Sequence, residues 1–276
     1  MQTDNKEVPE RLENVSIDPK ILEIFPGLSE TQVLERAFRV RKEAIEKEIS
    51  FRCIEGLIFL REGLYSNTFF QEAFRKENMK NLKVLEIGTG LGLSLRCLVK
   101  DGLSIDNVYG VDISDTFLEL GFRLMDDKVK FGEKFRAMDA LAENFVEEIE
   151  SWAGTKRPFD VIVANLVLHI LPGNNDKFVR HVSRLLRPGG AFLGQTFGAE
   201  DSFEEAYEFG VQRKAVMHSP VSLVSLFNRH GLDPVHVDTK GRAIDKEDFK
   251  WIEESFGVDM RQGKPKSLMS FIGFRR

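Results

Sequence analysis

The stretch Val84-Leu-Glu-Ile-Gly-Thr-Gly-Leu-Gly92 constrains this chain more than any other. Glycines fall at 88, 90 and 92, after an apolar run that reads as a buried strand and before a segment with helical spacing. Glycine allows the tight turn and lets a ligand approach the main chain. The helix that follows brings unpaired N–H groups to the same place. A dinucleotide asks this turn for Gly-x-Gly-x-x-Gly, with pyrophosphate on the helix N-terminus. Here the spacing is Gly-x-Gly-x-Gly, and position 93 is Leu. Glu86 at the strand tip would repel a pyrophosphate and attract the ammonium of a methionine moiety, directly or through water. Coulombic logic therefore prefers S-adenosylmethionine (SAM) to NAD.

Two more carboxylates follow in register. Asp112 ends the strand Val108-Tyr-Gly-Val-Asp112, where it can accept hydrogen bonds from both hydroxyls of a ribose. It could equally cap the next helix, as Ser114 and Asp115 could. Asp139, in Arg136-Ala-Met-Asp-Ala140, is placed to accept from an adenine amine, with Met138 or Ala140 packed on the ring. A helix cap is its alternative.

From residue 82 onward, strand-like and helix-like runs alternate. Strands are expected at 82–87, 108–112, 135–138, 159–165, 191–195, 232–237 and 267–273. Helices are expected at 91–100, 115–125, 141–152, 176–186 and 221–230. Such alternation means parallel β-α-β units with helices on both faces. Residues 1–20 are polar and read as loosely packed. Helices are expected at 30–49, capped by Ser29 with Gln32, at 51–61 and at 68–76. The chain thus divides into a helical cap, 1–79, and a Rossmann-like domain, 80–276. The charged connection 238–266 is long and reads as a surface embellishment with a helix near 246–254.

Composition narrows the function. The formal net charge of −5 argues against gripping phosphate backbones, so no nucleic-acid role is expected. No apolar run is long enough to span a membrane, and the polar N-terminus is no secretory signal. Two cysteines, Cys53 and Cys97, suit a reducing compartment, so cytoplasm is the expected location. No cluster has metal-ligand spacing. The 23 phenylalanines fill a core or line an apolar pocket.

With Glu86-x-Gly88-x-Gly90-x-Gly92, Asp112, Asp139, Phe159-Asp-Val-Ile-Val-Ala-Asn165 and Leu186-Arg-Pro-Gly-Gly190, the chain resembles the class I SAM-dependent methyltransferases. The resemblance implies a seven-stranded, mostly parallel sheet whose last strand is antiparallel. It extends the cofactor set to Thr89, Ile113, Asn165 and Leu166. Arg36-Ala-Phe-Arg-Val-Arg-Lys-Glu-Ala-Ile45, Phe51-Arg-Cys-Ile54, Leu98-Val-Lys-Asp-Gly102 and Phe117-Leu-Glu-Leu-Gly121 are similar to fungal secondary-metabolite methyltransferases. That group methylates polyketide–terpenoid intermediates, often at a carboxylate. It often carries bulkier or Cys residues in the glycine loop, whereas this chain keeps the fuller glycine pattern.

Methyl transfer is an in-line displacement that orientation alone can drive far. A carboxylate acceptor is ionised at neutral pH and needs no base, whereas a phenol benefits from one. His169, after the fourth strand, is the first candidate base, and His218, in the loop after the fifth, the second; either could be structural. His181, His230 and His236 read as surface or helix-end residues. Arg52 could pair with a carboxylate of substrate or cofactor, or simply form an internal ion pair. Tyr65, Phe70 and Phe197 are candidate pocket lining. The favoured expectation is methyl-ester formation on a hydrophobic small molecule, by a monomer or homodimer. The alternatives are phenol methylation with His169 as base, a cyclisation without methyl transfer, and a non-enzymatic regulator.

Overall fold

The computed structural model describes residues 15–47, 52–61, 63–74, 79–209, 211–239 and 267–276. The N-terminal part holds α1 (Pro19–Leu22), α2 (Glu30–Glu46), α3 (Arg52–Glu55) and α4 (Phe70–Ala73). Then come β1 (Val84–Ile87), α5 (Leu93–Lys100), β2 (Val108–Asp112), α6 (Asp115–Met125), α7 (Lys128–Phe131) and β3 (Phe135–Ala137). The second half runs α8 (Phe145–Ala153) as crossover to β4 (Phe159–Val163), then α9 (Asn175–Leu185), β5 (Leu186–Gly198), β6 (Phe203–Phe209), β7 (Val211–Met217), α10 (Pro220–Arg229), β8 (Leu232–Asp238) and β9 (Ser267–Arg275).

Seven strands form one sheet in the order β3-β2-β1-β4-β5-β9-β8. β1 to β5 are parallel, and β9 lies antiparallel between β5 and β8. The expected sheet and its antiparallel last strand are therefore present. Successive side chains of a strand face opposite ways, and both faces are apolar. Leu85, Ile87, Val111, Ile162, Phe192 and Phe271 enter the core shared with α8, α9 and α10. Their neighbours Val84, Val108, Val161, Leu193 and Ile272 enter the core on the α5 side. This is how a sheet buried on both faces reads as unbroken apolar runs.

The N-terminal helices share a third core with α5 and α6, in which Val33, Ala37 and Ala44 meet Cys97, Leu120 and Leu124. α2 starts where expected, with Ser29 and Gln32 forming a reciprocal capping box. Three N-terminal expectations need correction. Ile17 is buried, and Asp18 N–H donates to the Leu60 carbonyl, so the segment from residue 15 is packed rather than loose. The expected helix 51–61 breaks after one turn, because Leu57 takes a left-handed conformation (φ 52°) that no helix continues. The helix expected at 68–76 is the single turn of α4, ended at Phe74. The helix expected near 246–254 lies outside the described residues.

Beyond β5, where a loop is expected, the chain forms two further strands. β6 and β7 pair antiparallel from Phe203↔Met217 to Phe209↔Val211, as a separate two-stranded ribbon. β5 itself is longer than expected, and its last residues Gly194–Gly198 run past the end of β4 while staying paired with β9. Residues from the cap bind this extension: Asn67 Nδ2 donates to the Gly194 carbonyl at 2.7 Å.

The face of α5 beneath the glycine turn is fixed by Arg96, whose side chain is 3% exposed. It donates from Nε and Nη2 to both oxygens of Asp127, at 2.7 and 2.8 Å. Its Nη1 donates to the carbonyls of Leu91 and Gly92 at 2.8 and 3.0 Å. The guanidinium also lies over the rings of Phe122, Phe131 and Phe135. Removing one member of such a buried pair strands the other, at a cost of about 3–5 kcal/mol. Arg96→Leu is expected to lose stability on that scale in urea unfolding, and a loss under about 1 kcal/mol would show the pair to be incidental.

Candidate active site

In an open α/β sheet, ligands bind where the strand order reverses, outside the carboxyl ends of the strands. Here the reversal lies between β1 and β4. The turn after β1 and the turn after β4 therefore form the two walls of one crevice. The β1 turn is fastened to β2, since Gly88 N–H and Thr89 N–H both donate to the Val111 carbonyl, at 2.9 and 3.0 Å. Gly88, Gly90 and Gly92 all have positive φ. A Cβ at Gly88 would stand 2.5 Å from the Val167 side chain, while one at Gly90 would meet open space. The first glycine thus admits the β4 turn, and the second leaves its backbone open to an incoming group.

Two carboxylates sit at the floor. Glu86 is 3% exposed and accepts from Thr89 Oγ1 at 2.6 Å. Burial pushes its carboxyl up to about 7, against the opposing hydrogen bonds from Thr89 and Ser94. Asp112 accepts from Gly90 N–H at 2.8 Å and from Ser114 N–H at 3.0 Å. Burial raises its carboxyl as well, and those backbone bonds oppose the rise. Both expected acidic residues therefore face the glycine turn.

The β4 wall carries the clearest unfilled demand. Asn165 Nδ2 and Oδ1 are both buried without a hydrogen-bond partner. Such atoms are costly unless something pairs them. Leu166 follows with φ 55°, a strained value for a branched side chain, and its N–H donates to the Gln195 carbonyl at 2.8 Å. An amide offers an acceptor and two donors, and the methionine end of SAM presents a carboxylate and an ammonium. Asn165, Glu86 and the open main chain at Gly90 thus fit that cofactor.

Three residues farther on, His169 lies in a short turn, Leu168–Ile170, after β4. Its ring meets Phe197 edge-on, with centroids 4.9 Å apart. His169 Nδ1 is buried and unpartnered. Burial, helped by His218, pushes its imidazole down to about 3. His218 closes β7, bridges to Gly198, and offers Nδ1 to Ser222 Oγ at 3.2 Å. Its Nε2 is also buried and unpartnered, and burial pushes this ring down to about 4. Both histidines are therefore neutral at pH 7.

The remaining expectations divide. Ile113 is 70% exposed beside Asp112, an apolar side chain left in the open. Met138 and Ala140 are partly buried against the α8–α10 core, and Met138 N–H donates to the Asp112 carbonyl. Asp139 is exposed and accepts from Leu141 N–H at 2.8 Å, a turn-closing bond. Tyr65 and Phe70 turn away from the crevice. The Tyr65 hydroxyl donates to Asp101 at 2.6 Å, just past the far end of α5 from the glycine turn, and burial raises its phenol. Phe70 stacks between Tyr65 and Phe74 in the core. Arg52 opens α3, and its side chain lies outside the described residues. His181 is not at the surface, since it is 2% exposed, stacks on Phe145 and pairs with the Ala140 carbonyl.

Three residues went unread in the sequence. Arg96 and Ser94 sit on α5 and act on the turn and on Glu86. An arginine inside Leu93-Ser-Leu-Arg-Cys-Leu98, four residues after Gly92, was the available signal. Gln195, which holds Leu166, gave none.

Comparison with known proteins agrees with this geometry. A family model described as a methyltransferase domain matches residues 60–237. The chain is 28% identical over 184 residues to the asnovolin E/chermesin D methyltransferase nvfJ of Aspergillus novofumigatus, covering 66% of this chain and 64% of the relative. It is 27% identical to the O-methyltransferase atr3 of Stereocaulon alpinum, covering 66% of this chain and 53% of the relative. The match thus spans less than two thirds of the length of either curated relative. In fold it is similar to the 1,6-didemethyltoxoflavin N1-methyltransferase of Burkholderia thailandensis, with a TM-score of 0.54 at 16% identity over 90% of this chain and 91% of that one. A putative SAM-dependent methyltransferase from Listeria monocytogenes gives a TM-score of 0.51 at 13% identity, covering 72% and 93%. No helix of the described residues is long and apolar enough to cross a membrane. With its glycine turn, paired acidic residues and strand order, the chain belongs to the SAM-dependent methyltransferase-domain family.

Proposed function

We propose that this chain is an O-methyltransferase of an apolar, secondary-metabolite-like small molecule, and that its acceptor atom is a carboxylate oxygen. The observation that carries the reading is the pair of buried, unpartnered imidazole nitrogens, His169 Nδ1 and His218 Nε2, beside Phe197. The likeness to proteins described as O-methyltransferases supports transfer to oxygen.

In this reading Asp112 takes the ribose hydroxyls, Ile113 and Met138 flank the adenine, and Asp139 and Ala140 border its edge. Glu86, Thr89, Asn165 and Leu166 hold the methionine end, with Gly88, Gly90 and Gly92 allowing the backbone approach. Bound there, SAM supplies a methyl group on a sulfonium, whose positive charge attracts an anionic acceptor. With its single N–H on the unpartnered nitrogen, Nδ1 of His169 and Nε2 of His218, each neutral ring orients a carboxylate by donation. Phe197 excludes water from the same wall. The N-terminal helices close the crevice as a lid. Orientation in a dry site supplies the rate.

The low imidazole pKa values favour a carboxylate over a phenol. A general base works best with a pKa near the working pH. His169 at about 3 lies far below it and is a poor acceptor for a phenolic proton. A carboxylic acid has already lost its proton at pH 7.

Incubation with methyl-labelled SAM and a panel of apolar acids and phenols tests this directly. Label is expected in alkali-labile methyl esters; label found only in alkali-stable ethers would overturn the carboxylate reading. Asp112→Ala is expected to weaken SAM binding about 10–100-fold, the loss of hydrogen bonds to a charged acceptor. Calorimetric titration reads this, and an unchanged affinity would remove Asp112 from the site.

Glu86 adds a pH dependence. Because its carboxyl is near 7 in the free fold, it is largely protonated below that pH and ionised above. SAM affinity is expected to rise as pH rises through about 7 and to be flat and weak in Glu86→Gln. The stability of the free protein runs the other way. The folded state holds its proton more tightly than the unfolded chain, near 4.5, so stability falls between those two values. That fall is about 3 kcal/mol, with Asp112 adding to it, and Glu86→Gln should flatten most of it in unfolding curves.

A further inference from the structure

A cleft lies outside the cofactor crevice, on the outer side of the cap. It has a volume of about 370 Å³ and is lined by Arg36, Arg39, Val40, Glu43, Arg123 and Asp126. It lies between the cap helix α2 and the last turn of α6. The spacing of Arg36, Arg39, Val40 and Glu43, at i, i+3, i+4 and i+7, puts all four on one face of α2. Arg123 stands in the last turn of α6, and Asp126 caps that helix in a left-handed conformation.

The charges in this cleft do not balance. Three guanidinium groups face two carboxylates. One of those, Glu43, is shared between Arg123 and Lys47, the latter at 2.7 Å. Arg36 spends one N–H on the Leu124 carbonyl, at a long 3.4 Å, and keeps its remaining donors. Arg39 is exposed at the rim. Val40, by contrast, is 4% exposed and gives the cleft an apolar floor. Guanidinium forks match the oxygens of phosphate in pairs, and convergent arginines repel each other until an anion is placed among them.

We propose that the Arg36–Arg39–Arg123 cleft is a second binding site, distinct from the methyl-transfer crevice, for a phosphate-type dianion, free or as a phosphate monoester. It is independent of the acceptor chemistry proposed above. The two arginines of α2 approach from one side and Arg123 from the other, so the anion bridges cap and Rossmann-like core. The organic part of an ester lies over Val40. Asp126 is adjacent in sequence to Asp127, whose carboxylate grips Arg96 under the glycine turn, so the site adjoins the support of the cofactor loop.

Titration calorimetry with inorganic phosphate and with phenyl phosphate, each against sodium chloride of equal ionic strength, tests this. All titrations are made on the full chain, with and without saturating SAM, which fills the glycine turn. Specific binding is expected that Arg39→Gln/Arg123→Gln weakens at least about tenfold, the loss of one or two charge-assisted bonds. SAM affinity of that double variant should be unchanged. Glu43→Gln, which removes a competing carboxylate, should tighten phosphate. Tighter binding of phenyl phosphate than of phosphate identifies an ester as the ligand, and equal binding identifies the free ion. Binding that vanishes when SAM saturates the crevice, that is equal in the double variant, or that chloride reproduces overturns the proposal.

Discussion

One guanidinium holds the shape of the glycine turn. Three glycines with positive φ cannot keep a loop in place, because glycine gives up more conformational freedom on folding than any other residue. Arg96 supplies the restraint. Buried under three phenylalanine rings, it is locked to Asp127 on one side and takes the carbonyls of Leu91 and Gly92 on the other. Those carbonyls belong to the turn itself, so the pair transmits the rigidity of the α5–α7 packing to the crevice wall. The same phenylalanine, Phe135, would crowd any Cβ at Gly92, which ties the identity of the third glycine to the cation beneath it.

Much of this was legible from residue order. The glycine turn, Glu86 and Asp112 could be read because strand, turn and acidic partner follow one another in the chain. The alternation of apolar runs gave the sheet, and Ser29 with Gln32 gave the start of α2. What could not be read depended on contacts distant in sequence. The ribbon β6–β7 has one visible cue, aromatic residues at 203, 207 and 209 before Gly210, and β7 hides its strand character behind the polar run Gln212-Arg-Lys214. Tyr65 and Phe70 were placed by residue type alone, and Asp101 and Phe74 decided where they went. His181 sits on a helix whose polar appearance in sequence hides how deeply α9 is packed between α8 and α10.

The cost of the site is concentrated on one wall. Core strands satisfy their polar groups and keep ordinary backbone angles. The segment after β4 does neither: Asn165 leaves both ends of its amide unpaired, Leu166 is held in a left-handed conformation, and His169 leaves a ring nitrogen bare. His218, brought in by β7, adds a third unpaired group. Unpaired buried polar atoms lower stability and are kept where a ligand completes them. The opposite wall is the reverse case, with every expected polar group already engaged, including the Asp112 carboxylate on Gly90.

The bond from Asn67 to the Gly194 carbonyl bears on how the chain could be cut. The cap and the Rossmann-like part look separable along the sequence, and residue 79 looks like a natural boundary. Yet the segment before that boundary is bonded to the sheet: Asn67 takes the Gly194 carbonyl, and Ser66 and Thr68 reach Gln195 and Ser270. A fragment starting at residue 80 would lose these bonds and uncover the apolar core residues that Leu64, Phe70 and Phe74 cover. The boundary is one of sequence rather than of packing, since residues that lie before the first strand share its core.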